Sequence, residues 1–318
     1  MSESGSFDPG EWKRPEHNDF RAARRKYDKD ADRSYASNSD PKIDFVPNSL
    51  ITEFESPLVF ALDDTFSMGD YPGIVFGKAP YFDVEGKSYL GQNRGISFAL
   101  INDVSSDKNG LLVRPFVNGL DIKKRLAEFP HERNGGPGYR ESYEMCALYY
   151  ARNVSMPKAK EKPIFIFVGD EAPYDFVEKD AAKKYAKVNL EAKIETKDIM
   201  EELKKKFSVY MIRKPYGNAL SDFPVENKII QSQWESYLGA DHIAILSEPE
   251  RILDVTFGIL ANEKKKIDYF KEEIEQRQIE SVKENERAAG IAKVKAAYAA
   301  LAPVFGKKLK ISDKWKTN

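Results

Sequence analysis

An aspartate and two hydroxyls stand at alternate positions in LVFALDDTFSMGD (residues 58–70): Asp63, Thr65 and Ser67. In a loop leaving a strand, alternate residues face the same side, so one carboxylate and two hydroxyls can converge on a point. All three are hard oxygen ligands, suited to Mg²⁺ or Mn²⁺ rather than to a soft metal. This loop alone offers too few carboxylates for a tight Ca²⁺ cage. A second acid, Asp170, follows the apolar run IFIFVG (164–169). If the two acids meet, they form an oxygen-lined divalent-cation site.

The elements around them say whether they can meet. Six short apolar runs read as strands: 57–62, 96–102, 111–117, 163–168, 207–213 and 242–246. Runs apolar on both faces are typical of a parallel sheet. The turn SSDKNG (105–110) makes the third strand antiparallel to the second, and Pro115 puts it at an edge. Helical patterns fall at 72–90 (interrupted by Gly73 and Pro80), at 140–152, in two pieces across 178–205, and at 224–238 from Pro224. The expected fold is α/β, a doubly wound, mainly parallel six-stranded sheet flanked by helices, Rossmann-like in architecture. With strands two and three on one side of strand one and strand four on the other, Asp63 and Asp170 both face the topological switch point, where such sheets place ligands.

DDTFSMG (63–69) resembles the D-x-[TS]-x-S signature of von Willebrand factor type A (VWA) domains, the metal-ion-dependent adhesion site (MIDAS). The resemblance covers about residues 54–260. It implies that Asp63, Thr65, Ser67 and Asp170 hold a divalent cation together with a Thr from an intervening loop. That loop, NGGPGYRESYEMCA (134–147), keeps Gly135 and Gly136 but has no Thr. Tyr139, Glu141 or Ser142 aligns with it, and Glu141 and Ser142 both stand as candidate metal ligands. Glu141 would add a third carboxylate; Ser142 would keep the adhesion-type charge balance. The segments GG…ESYE and IFIFVGDE also resemble those of a subgroup of microbial intracellular VWA proteins.

Composition narrows the function classes. The chain has 318 residues, 50 basic and 51 acidic, for a net charge of −1, which argues against nucleic-acid binding through a global basic field. A single cysteine, Cys146, excludes an internal disulfide and a Cys-based zinc site, and with no visible signal segment points to the cytoplasm. No apolar run is long enough to cross a membrane. The three histidines, at 17, 131 and 242, have no metal-ligand spacing, and no Ser-His-Asp or Cys-His arrangement is visible.

The chain divides into a polar arm (1–48) with spaced aromatics Trp12, Phe20, Tyr27 and Tyr35, a VWA-like domain (49–260) and a charged helical extension (261–318). In the extension Ile267, Phe270 and Ile274, then Ile291, Val294, Tyr298 and Leu301, have helical spacing, but the register breaks between the sets. That pattern fits helices folded on the domain, with an oligomerisation or partner helix as the alternative.

The expected function is therefore a non-enzymatic, cation-dependent protein-binding module. Its Mg²⁺ or Mn²⁺ would engage a carboxylate of a partner protein, and the resemblance suggests an AAA+ ATPase of the MoxR type, within a multi-protein assembly. The alternative is a structural or oligomerisation protein whose metal site is vestigial or saturated. A Mg²⁺-dependent hydrolase fits less well: haloacid-dehalogenase-like phosphatases need D-x-D, and position 65 is Thr.

Overall fold

Six apolar runs pair into one sheet in a computed structural model of the chain. The structure describes residues 46–315 except 70, 120, 127, 130–137, 218 and 247; the aromatics expected to anchor the arm, and Gly135 and Gly136, lie outside the described residues. The strands are β1 (Ser56–Asp63), β2 (Arg94–Ile101), β3 (Leu111–Val113), β4 (Ile164–Gly169), β5 (Ser208–Arg213) and β6 (Ile243–Ile245), ordered β6-β5-β4-β1-β2-β3. All neighbours are parallel except β2 and β3, and β3 is the antiparallel edge strand. Register sets Leu62 beside Val168 and Asp63 beside Ile101, so the carboxyl ends of β1 and β4 are adjacent.

Alternation sorts the sheet's side chains into two cores. Leu58, Phe60, Leu62, Ile166 and Ile212 face one layer of helices; Val59, Ala61, Phe165, Phe167 and Met211 face the other. The first layer holds α1 (Tyr71–Leu90) and α2 (Asp121–Leu126), and the second α3 (Tyr143–Asn153), α4 (Lys179–Tyr185), α5 (Thr196–Lys206) and α6 (Pro224–Leu238). Cys146 on α3 is buried in that core as a free thiol.

Gly73 and Pro80 do not break α1, which runs for 20 residues. A proline inside a helix costs about 3 kcal/mol. Packing outweighs it: Phe82 and Tyr89 stack on Phe257 with centroids 5.8 and 5.6 Å away, and Phe60 meets Phe82 edge-on.

The C-terminal chain completes the first layer through α7 (Ile252–Glu263), α8 (Ile267–Glu275), a π-helical turn (Gln276–Glu280), α9 (Arg287–Ala300) and α10 (Ala302–Phe305). Phe270, Ile274, Val294, Tyr298 and Leu301 share one core with β1 and α7. The register break between the two apolar sets is the π turn, which buries Arg277 and Gln278. Arg277 reaches Asp254 at 2.7 Å and Glu273 at 2.7 Å, while Arg251 binds the other Asp254 oxygen at 3.0 Å. A Cβ on Gly290 would lie 1.9 Å from the Gln278 carbonyl oxygen, so α9 meets this turn backbone to backbone.

Candidate functional site

Asp63 ends β1, and the chain turns sharply after it. Its Oδ1 accepts from the Thr65 N–H at 2.9 Å and the Thr65 hydroxyl at 2.6 Å. The Ser67 hydroxyl stands 3.3 Å from that of Thr65 and donates to Asp170 Oδ1 at 2.9 Å. Asp63 with Thr65 and Ser67 with Asp170 are thus two hydrogen-bonded pairs, their hydroxyls side by side across the carboxyl ends of β1 and β4, at the switch point.

Two residues that the motif reading missed complete these pairs, one on Asp63 and one on Asp170. The Tyr143 hydroxyl, from the first turn of α3, donates to Asp63 Oδ2 at 2.5 Å. It reaches there across Gly169, where a Cβ would lie 1.8 Å from the hydroxyl, so only glycine fits beneath it. Lys214 is the second. Arg213 pairs with Gly169 in the β4–β5 register, and the Lys214 N–H donates to the Gly169 carbonyl at 2.8 Å, which sets Lys214 next to Asp170. Its Nζ donates to Asp170 Oδ2 at 2.9 Å and to the carbonyls of Gly217 at 2.9 Å and Pro215 at 3.1 Å. The ammonium spends its three protons inside the protein. The signal for Lys214 was available: a cation one residue past the end of the fifth strand, at the edge where both acids end their strands.

The segment before α3 does not supply the missing ligand. Glu141 is buried in a two-residue parallel ladder opposite Pro173, and the Ser142 hydroxyl accepts from the Val104 N–H at 3.0 Å. Asp103 is likewise taken up locally, by the Ser105 N–H and hydroxyl at 2.8 and 2.7 Å and by the Tyr174 hydroxyl at 3.1 Å.

This arrangement corrects the expected metal site. Among the described residues, no three His, Cys, Asp or Glu side chains are grouped to hold a metal ion. The physical reason is the donor set. Each oxygen of Asp63 and of Asp170 already accepts a hydrogen bond, and the Lys214 ammonium supplies the positive charge that a cation would bring. Mg²⁺ and Mn²⁺ are not cofactors that these residues fit, and the MIDAS reading does not carry over. A partner's carboxylate consequently has no metal to complete.

Burial and charge set the titration of the site. Burial, then the charge of Asp170, raises Asp63 to about 7, against the bonds from Thr65 and Tyr143. Burial, then Asp63 and Asp170, raises Glu171 to about 9. Burial, against the charge of Asp170, lowers Arg213 to about 10; its guanidinium donates to the Asn227 carbonyl at 3.2 Å and to Gln231 at 3.3 Å. The described histidine, His242, stacks on Tyr210 and bonds the Val209 carbonyl at 2.7 Å, away from this cluster.

Glu144, one residue past Tyr143, gives the clearest pH test. Burial raises it to about 8, partly offset by backbone bonds including that from the Tyr174 N–H at 3.0 Å. The native state then holds a proton that the unfolded chain releases above the ordinary value of 4.5, so this contribution to stability is lost as pH rises through about 8. Glu144→Gln keeps the acceptor without the charge. By chemical denaturation it should match wild type near pH 5 and exceed it near pH 8.

No family model matches the chain, and no curated protein matches it by sequence. Solved structures similar to it include the pilus adhesin SpaC from Lactobacillus rhamnosus GG in its open conformation, at 13% identity over 71% of this chain and 31% of that one, TM-score 0.48. A second form of SpaC is similar at 13% identity, over 71% of this chain and 32% of that one, TM-score 0.46. The PilB minor pilin from Streptococcus sanguinis is similar at 12% identity, over 68% of this chain and 62% of that one, TM-score 0.38. The chain thus spans about a third of the adhesin's length. At these values the likeness is a distant one of fold. The cytoplasmic expectation does not stand either, because the single cysteine that prompted it fixes no compartment; the similar structures are themselves titled a pilus adhesin and a minor pilin.

Proposed function

We propose that this chain is a non-catalytic, VWA-like protein-interaction domain whose adhesion-type site is saturated from within, so that it binds without a metal. The observation that carries the reading is the Lys214 ammonium held on Asp170 at 2.9 Å, in the crevice where the resemblance expects a cation. With its charge balanced, the crevice serves as a rigid hub for the loops that leave it.

Those loops support a binding role. Phe66, between Thr65 and Ser67, is 79% exposed. On the other side of the Ser67–Asp170–Lys214 chain, Leu220, Phe223 and Val225 are exposed in and after the loop that Lys214 opens, and Ile229 follows on α6. Phe223 packs edge-on against Tyr216, one residue before Gly217, which accepts from Lys214. Large apolar side chains displayed around a site mark a partner surface better than scattered ones do. An AAA+ ATPase of the MoxR type is the partner class that the family resemblance suggests and the first to try.

The test has two arms. Calorimetry with Mg²⁺ and Mn²⁺ should give no binding heat, and the thermal midpoint should be the same in EDTA and in millimolar Mg²⁺. Phe66→Asp with Val225→Asp should abolish association with a partner that the wild type holds. A saturable Mg²⁺ isotherm, lost in Asp63→Ala, would overturn the saturated-site reading; partner binding unchanged in the double variant would overturn the surface.

A further inference from the structure

The charge of the chain is unevenly distributed. Residues 287–318 carry eight basic residues and one acid, net +7, leaving 42 and 50 elsewhere, net −8. This basic segment folds back on the domain. After α10 the chain runs along α9, where the Ser312 N–H donates to Glu275 at 3.0 Å and the Tyr298 hydroxyl donates to the same oxygen at 3.3 Å. Glu275 is buried, so the returning chain is tied to an interior group rather than lying loose on the surface.

Between α9 and the returning chain lies a groove of about 720 Å³. Its walls are apolar: Ile291 and Tyr298 from α9, Ile311 and Trp315 from the returning chain. Lys295, Lys308 and Lys310 line it as well, and all three are exposed. Each is without an ion pair or hydrogen bond to a described residue. Lys314, by contrast, sits over the Trp315 ring and pairs with Glu280 at 3.4 Å. The Trp315 indole N–H is buried and has no hydrogen-bond partner among the described residues.

A volume of this size is ordinary for a small-molecule site, and the two halves of its lining ask for two halves of a ligand. The apolar walls take a hydrocarbon. Three ammonium groups without partners among the described residues take an anion. We infer that this groove binds a single-chain amphiphile with an anionic head, of the long-chain fatty-acid class, its acyl chain along Ile291, Tyr298 and Ile311 and its carboxylate among Lys295, Lys308 and Lys310. The site lies on the C-terminal helices and involves none of the residues of the Asp63–Asp170 crevice.

Trp315 provides the readout. The chain has three tryptophans; Trp234 is fully buried, and Trp12→Phe removes the other competing signal. In full-length Trp12→Phe protein, oleate below its micelle concentration should shift the emission to the blue and saturate at one equivalent. Lys308→Glu with Lys310→Glu, both at exposed positions, should weaken this by about tenfold or more, and methyl oleate should bind more weakly than oleate. Ile311→Asp should also weaken it, with an unchanged far-ultraviolet spectrum confirming the fold. No saturable shift with oleate would overturn the inference, as would equal affinity in the charge-reversed protein. A shift with anionic vesicles alone would replace the site by a membrane-facing surface, and one with an acidic peptide alone by a protein-binding groove; either overturns it.

Discussion

Replacing Arg277 with Ala is expected to cost about 3–5 kcal/mol of stability, because it takes the nearer of two arginines from the fully buried Asp254 and removes the one beside the half-buried Glu273. Arg277 and Asp254 are both fully buried and 2.7 Å apart, and Glu273 and Arg251 complete the cluster. Burial alone would push Asp254 up; Arg277, then Arg251, outweighs it and holds the carboxyl below its ordinary 3.8. A depressed carboxyl contributes stability above its unfolded value and loses it as pH falls through the folded one, so wild type should weaken below about pH 4. Urea denaturation measures both effects. Asp254→Ala should be similarly costly, and the double variant should lose less than the two single losses together. Strict additivity would show that the two groups do not depend on each other. The cluster also has an architectural consequence. It joins α7 to the π turn, so in Arg277→Ala the helices after α7 should become protease-sensitive before the sheet does.

The sheet was legible because its signal is local. Each of the six apolar runs carries its own strand, the turn at 105–110 gives the antiparallel edge, and the chain order places β1 beside β4. Local rules failed where distant contacts decide. Gly73 and Pro80 predict a broken helix, and stacking of Phe82 and Tyr89 on Phe257, far along the chain, keeps α1 whole. In the charged stretch after residue 263, the helical spacing of Ile267 to Ile274 and of Ile291 to Leu301 marks the inward faces. No spacing announces that Arg277 turns inward between them to meet Asp254. The motif reading found Asp63, Thr65, Ser67 and Asp170 as oxygens, which they are. What they bond to is set by a strand register that brings Lys214 beside Asp170, and by the bare Cα of Gly169 that lets Tyr143 cross to Asp63. A motif states which atoms are available; the third dimension states which are already engaged.

Lys214→Met is the variant that bears most directly on that distinction. It removes the charge while keeping much of the side chain's volume, and it leaves Asp170, which has no solvent exposure, facing Asp63 with only the Ser67 hydroxyl on one oxygen. The expected loss is about 3–5 kcal/mol by chemical denaturation, the usual cost of stripping the partner from a buried charge. Asp170→Asn in the same chain removes the orphaned charge and should recover a large part of the loss, whereas Asp170→Asn alone, which strands the Lys214 ammonium, should itself be destabilising. If Lys214→Met were neutral, the ammonium would be an adventitious neighbour of Asp170 and the crevice would not be charge-saturated. If the double variant were no better than Lys214→Met, the loss would come from the Gly217 and Pro215 carbonyls that Lys214 also holds, which would make the lysine a clamp for its own loop rather than a substitute for a cation. The loop clamp and the charge balance make opposite predictions for the double variant, so one denaturation series separates them.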